Sequence, residues 1–141
     1  MVTLATEVSK DLLQMYDDLK MKGAYKYMIM NLKDKDVTLL FSGKPTETFE
    51  DFANKLTEND PAYAIYDLDV KYPDEHTSNY LCFFMYVPDE CTVKQRVQYS
   101  GSKEGVKAKF SGIAKEFQVN AKKDLNFKKF VDSFLGGKVI S

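Results

Sequence analysis

Two runs of aromatic, branched and other apolar residues, Ala62 to Val70 and Tyr80 to Val87, constrain this chain more than any other feature. Each has the length of a strand, and Pro61, Pro73 and Pro88 bound them with residues that cannot continue a hydrogen-bonded ladder. Strands of this composition belong at the centre of a sheet, covered by other elements.

The covering elements are legible on either side. Val8, Leu12, Tyr16 and Leu19 recur at helical spacing, with Thr6 or Ser9 as the cap and Gly23 as the stop. Tyr25 to Leu32 and Val37 to Ser42 read as a hairpin around the charged turn Lys33, Asp34, Lys35, Asp36. Thr48 caps a short helix carrying Phe49, Phe52 and Leu56, with Asp51 placed three residues on for a capping box. From Val93 to Ser111 a helical pattern puts Tyr99, Val106 and Phe110 on one stripe. Gly101 and Gly105 weaken its middle by about 1 kcal/mol each relative to Ala, which favours a kink. Lys115 to Val119 forms a short last strand. Leu125, Phe130, Val131 and Phe134 form a closing helix that stops at Gly136 and Gly137. The order αββαββαβα predicts an α/β (α+β) fold, with a central mixed sheet of five to six strands flanked by helices on both faces. At 141 residues one domain spanning 1–141 is expected, with roughly two thirds of the unfolded surface buried.

Charge narrows the partners. With 20 basic and 21 acidic side chains the net charge is -1, so nothing draws the chain as a whole to nucleic acid, whose binding requires many neutralised phosphates. The first residues lack a basic start followed by an apolar stretch, and no run of about 18 apolar residues occurs, so neither secretion nor a transmembrane segment is expected. Cys82 and Cys91 match neither a disulfide framework nor zinc spacing, which predicts a reduced, cytoplasmic protein.

Catalytic chemistry is not apparent. The single histidine, His76, lies in the polar stretch Pro73 to Asn79, where a solvated loop residue is expected. Ser42, Gly43, Lys44 and Gly101, Ser102, Lys103 resemble fragments of a phosphate-binding loop, but the glycine that motif requires five residues earlier is missing from both. Asp34, Asp36, Asp51, Asp74 and Glu75 fall in turns or caps, where solvated carboxylates are favoured. No catalytic residue, metal ligand or cofactor is assigned.

The segment Val93 to Phe110 breaks the charge balance. It carries Lys94, Arg96, Lys103, Lys107 and Lys109 against one acid, Glu104. On a helix Arg96, Lys103 and Lys107 lie within roughly 40° of one another, and Tyr99, Val106 and Phe110 form a stripe about 60° away. A core edge therefore adjoins a cationic edge. Such an edge is either an ordinary solvated helix face or a docking surface for an acidic protein or lipid headgroup.

These residues carry a family resemblance. The run Lys94, Gln95, Arg96, Val97, Gln98, Tyr99, Ser100, Gly101, Ser102, Lys103, Glu104, Gly105, Val106, Lys107 through Gly112 resembles, without a gap, the long-helix motif of the ADF/cofilin family. Phe52 and Leu56, then Tyr63, Ala64, Ile65, Tyr66, Asp67, and Pro88 with Asp89, are similar to further motifs of that family. Val8, Ser9, Asp11, Tyr16, Leu19 and Lys20 fit its first helix. The resemblance implies one ADF-homology domain without catalytic activity. It also implies binding of the actin monomer by the long helix and the N-terminal segment around Thr6, and filament depolymerisation through a second surface. Lys94, Arg96, Lys103 and Lys107 then fall on the basic actin-contacting positions, which in many members also bind phosphoinositide headgroups, and Val97 replaces a methionine.

On the second surface, Ser78 and Tyr80 stand where the family carries basic residues, and Lys128, Lys129 and Lys138 are the nearby cations that could substitute. Weakened filament binding and severing follow. The family's regulatory serine aligns with Ala5, which leaves Thr3 and Thr6 as candidate phosphorylation sites. Ala114 to Phe117 and Lys122 to Leu125 resemble coactosin, a protein of the same fold that binds filament sides without severing. The resemblance implies a cytoplasmic, cytoskeleton-associated monomer whose partners are actin, as monomer and filament, and phosphoinositide headgroups, with no nucleic acid.

Overall fold

In the computed structural model, which describes residues 7–135, six strands form one mixed sheet in the order β1-β3-β2-β4-β5-β6. Along the chain the elements are β1 (Glu7–Val8), α1 (Lys10–Lys22), β2 (Tyr27–Lys33), β3 (Asp36–Gly43), α2 (Phe49–Lys55), β4 (Ala62–Lys71), β5 (Thr77–Tyr86), α3 (Val93–Lys107), β6 (Lys115–Val119), a 3-10 turn (Lys122–Asp124) and α4 (Phe127–Leu135). The expected mixed sheet with helices on both faces is present, and β4 and β5 are both interior strands, β4 at the middle and β5 between it and the edge strand β6. Among the described residues no helix is long and apolar enough to cross a membrane.

The near-continuous apolar runs of β4 and β5 arise because each strand is covered on both faces. Tyr63 and Ile65 of β4 enter one core with Leu12, Tyr16 and Leu19 of α1 and Tyr99 and Val106 of α3. Ala64, Tyr66 and Leu68 enter the other, with Phe49 and Phe52 of α2 and Phe130 of α4. At about 1.5–3 kcal/mol for each large side chain removed from water, both cores draw most of their stabilisation from these two strands and the rings packed on them.

Local signals placed the helix ends. Ser9 caps α1 by accepting from the Leu12 N–H, and Gly23, at φ 62°, closes it with its N–H on the Asp18 carbonyl. Thr48 with Asp51 forms the capping box expected for α2, and Thr92 with Gln95 forms a second one for α3. The charged hairpin turn is tight, with Lys33 paired to Asp36 and Asp34 at φ 57°, a conformation aspartate tolerates.

Several boundaries differ from the sequence expectation. Val8 is not part of the first helix: it precedes the Ser9 cap and pairs with Val37 in the short parallel strand β1, at the edge of the sheet. Strand β5 begins at Thr77 rather than Tyr80, because the polar residues Thr77 to Asn79 complete an unbroken hairpin register against Asp69 to Lys71. Helix α3 runs unbroken through Gly101 and Gly105 but ends at Lys107. Phe110 is buried from the turn that follows, where N–H groups of Lys109 and Phe110 bond three residues back.

One glycine is required by a close approach. Gly43 pairs with Tyr27 across β3 and β2, and a β-carbon there would lie 2.1 Å from Tyr27 Cε2. The Tyr27 ring fills that space while its hydroxyl donates to Glu47 at 2.7 Å.

Candidate functional site

The cationic stripe on α3 is built on a firmly held helix. The Tyr99 hydroxyl accepts the Leu32 N–H of β2 at 2.9 Å, and Gln98 donates to the Asp34 carbonyl at 3.0 Å, which ties α3 to the β2–β3 hairpin. With the apolar side of the helix, Tyr99 and Val106, turned inward, Arg96, Lys103 and Lys107 are half-buried along its border and Lys94 is exposed. Val93 and Val97 are 76% and 47% exposed, at about 60° and 100° around the axis from Arg96. The outer surface of α3 thus offers two apolar side chains beside the cations, the combination found at protein interfaces. Val93 was not assigned a role from sequence. Its exposure depends on where the helix is docked.

The cations are not equivalent. Arg96 Nη2 donates to the Asp89 backbone carbonyl at 3.3 Å, a neutral acceptor that orients the guanidinium without cancelling its charge. Among the described residues neither Arg96 nor Lys94 has a carboxylate partner. Lys103 Nζ lies 3.2 Å from Glu116 Oε2 and 3.3 Å from Glu104 Oε1, and Lys107 Nζ lies 3.5 Å from Glu116 Oε1. Hydrogen bonds donated to Glu116, then to Glu104, raise the Lys103 pKa above the ordinary lysine value and hold it as an ammonium. The lysine edge is therefore partly neutralised. Glu104 was in view from the sequence, whereas Glu116 lies on another element and reaches the helix only through the sheet.

The second candidate surface is divided. Tyr80 is half-buried, its ring stacked on Phe134 of α4 with centroids 4.3 Å apart, and its hydroxyl is hydrogen-bonded to that of Tyr72. It is a packing residue under the C-terminal end of α4. Ser78 is half-buried two residues earlier on β5, opposite Val70. Lys128 and Lys129 are exposed in the first turn of α4, about 8 Å of helix rise from Phe134. Lys128 and Lys129 stand at the opposite end of α4 from the Tyr80–Phe134 stack. Thr3, Thr6 and Lys138 lie outside the described residues.

Elsewhere, His76 sits at the β4–β5 turn, stacked on Tyr72 with centroids 4.5 Å apart and bonded to Asp74. Cys82 is buried and Cys91 half-buried, both as free thiols. Among the described residues no group of three His, Cys, Asp or Glu is placed to hold a metal ion.

Comparison with known proteins points in one direction. Residues 5–134 match the family described as cofilin/tropomyosin-type actin-binding protein. The chain is 33% identical to actophorin of Acanthamoeba castellanii over 113 residues, covering 79% of this chain and 81% of that protein. It is 31% identical to cofilin of Mycosarcoma maydis over the same length, with the same coverage of both chains. The crystal structure of Streptomyces griseoflavus cofilin superposes with a TM-score of 0.80 at 25% identity, covering 89% of this chain and 96% of that one. Human coactosin-like protein shares the fold at 17% identity, with a TM-score of 0.75 and coverage of 97% and 92%.

Proposed function

The chain belongs to the family of cofilin/tropomyosin-type actin-binding proteins, and from that premise we propose that it binds the actin monomer through α3 and promotes filament depolymerisation and turnover. The observation that carries this reading is the cationic border of Arg96, Lys103 and Lys107 set beside exposed Val93 and Val97 on a rigidly docked helix. Apolar side chains supply buried area, and the cations supply steering and register against an acidic face. Lys94 extends the positive field, and Thr6 belongs to the N-terminal segment of the same contact. Phosphoinositide headgroups compete for the same lysines, at about 1 kcal/mol for each basic side chain near an anionic membrane.

Filament binding and severing are weaker than monomer binding in this reading. Tyr80 is committed to Phe134, so the strand offers no cation where an acidic filament surface would need one. A second reading, a coactosin-like binder of filament sides that does not sever, is supported by the likeness of Ala114 to Phe117 and Lys122 to Leu125 to coactosin. The protein acts as a single ADF-homology domain in the cytoplasm, associated with the cytoskeleton and without enzymatic activity. Threonine phosphorylation at Thr3 or Thr6 would regulate the N-terminal contact.

The test is the double substitution Arg96→Ala with Lys103→Ala. Monomer affinity falls by about 2 kcal/mol or more when measured by titration of labelled actin. Unchanged affinity in a folded double variant overturns the assignment of this surface. Filament cosedimentation and direct imaging of severing separate the two readings.

A further inference from the structure

Glu116 is the second residue of β6, the outermost strand next to β5. Strand alternation sends Lys115 and Phe117 toward α4, where Lys115 lies over the Phe134 ring and Phe117 packs on Phe130. It sends Glu116 the other way, onto α3. There one carboxylate is divided between two ammonium groups, Oε2 to Lys103 and Oε1 to Lys107. Lys103 and Lys107 are four residues apart on one helix, a spacing at which like charges repel. Glu116 relieves that repulsion and fixes where both side chains point.

We infer that Glu116 is the specificity-determining residue of the α3 surface, an internal anion that aligns two lysines for a carboxylate-bearing actin face while discounting them toward a phosphorylated membrane. This rests on the proposed reading of that surface as the site of both ligands. The two ligands sense different properties. A charged bilayer responds to the local sum of charge within a Debye length, so Glu116 subtracts from what Lys103 and Lys107 add. A protein interface responds to individually directed ion pairs. Each ammonium has three N–H donors, so Lys103, paired with Glu116 and Glu104, keeps one and Lys107, paired with Glu116, keeps two to meet the partner in a fixed geometry. Removing the charge of Glu116 should therefore move the two affinities in opposite directions.

Glu116→Gln in the full chain tests this, with two probes: actin monomer, and phosphatidylcholine vesicles with and without phosphatidylinositol bisphosphate. Glu104→Gln is the control, since it removes the same formal charge from an exposed rim position that is 76% accessible and touches Lys103 alone. Glu116→Gln tightens binding to the phosphoinositide vesicles about fivefold, the worth of one charge near an anionic surface, and weakens monomer binding about threefold. Glu104→Gln, whose charge lies within the same Debye length, tightens vesicle binding by a similar factor but leaves monomer binding within twofold, so it moves the ratio of the two affinities about threefold less than Glu116→Gln does. The inference is overturned if Glu116→Gln leaves that ratio unmoved, or if both substitutions move it equally. Natural protein that binds neither probe overturns instead the underlying reading of α3, and the inference with it. Nitrogen-15 NMR of the Lys103 ammonium supplies a readout independent of either ligand. Its titration shifts downward in Glu116→Gln, and an unshifted titration rejects the pairing itself.

Discussion

Tyr63 and Tyr99 are joined twice: their rings pack with centroids 5.0 Å apart, and the Tyr63 hydroxyl donates a hydrogen bond to the Tyr99 backbone carbonyl in the middle of α3. Tyr63 belongs to the central strand β4, so the helix that carries the cationic stripe is fastened to the centre of the sheet. Burial pushes the pKa of the Tyr63 hydroxyl upward from the ordinary tyrosine value, which keeps it a donor at neutral pH.

Tyr63→Phe keeps the ring and removes the donor. Stability should fall by about 1–2 kcal/mol in urea unfolding, the worth of a hydrogen bond lost from a buried site. Monomer affinity of the folded variant should stay within twofold, because Tyr99 and Gln98 still hold α3 to the hairpin at Leu32 and Asp34. A large loss of affinity without loss of stability would show that this bond sets the helix position by itself.

Adding a cation at Tyr80 is the change that family resemblance invites, and the structure gives it a penalty. Tyr80→Lys loses the stack on Phe134 and the bond to Tyr72, at about 2 kcal/mol even with the lysine stem packed in place of the ring. Tyr80→Phe should lose about 1 kcal/mol. Ser78→Arg adds the charge without disturbing that stack and should raise filament cosedimentation more than Tyr80→Lys does. Thermal unfolding checks the order, and a Tyr80→Lys variant as stable as the natural protein contradicts it.

Asp67 gives a pH dependence of defined sign. Burial, helped by Asp69, raises its carboxyl pKa, against the opposing pull of Lys26 and Asn79. A folded pKa above the unfolded one means that the folded chain binds more protons in between, so this group's contribution to stability declines as pH rises from the ordinary aspartate value through the raised one. Asp67→Asn removes the burden of a buried charge. Its urea midpoint should exceed that of the natural protein at neutral pH, with the gap closing as pH falls below the ordinary carboxylate range. A gap that does not change with pH would locate the effect elsewhere.

What the sequence made legible was local. Ser9, Thr48 with Asp51, and Gly23 act through hydrogen bonds three to five residues away, so the positions of these helix ends could be inferred from short spacings. The two apolar runs specified central strands because only coverage on both faces accounts for them. What stayed hidden depended on contacts distant along the chain. The β1 strand exists through Val37, the polar start of β5 through the end of β4, and the role of Tyr80 through Phe134. The stripe on α3 was legible as a spacing of cations. Its neutralisation by Glu116 was not, since that requires knowing that β6 lies beside β5 and which way its side chains alternate.

Strands β4 and β5 wall both cores at once, Tyr63, Ile65 and Phe83 on one side and Tyr66, Leu68 and Phe84 on the other. Neither helical layer can melt back to bare chain while the other stays folded without leaving a large apolar face of the same strands in water. The molecule is in this respect a party wall with a house on each side, and a defect in either house is felt in the other. Amide groups along the ladder from Ala62 to Leu68 should therefore exchange with solvent only when the whole chain opens, which would make them the reporters of its global free energy.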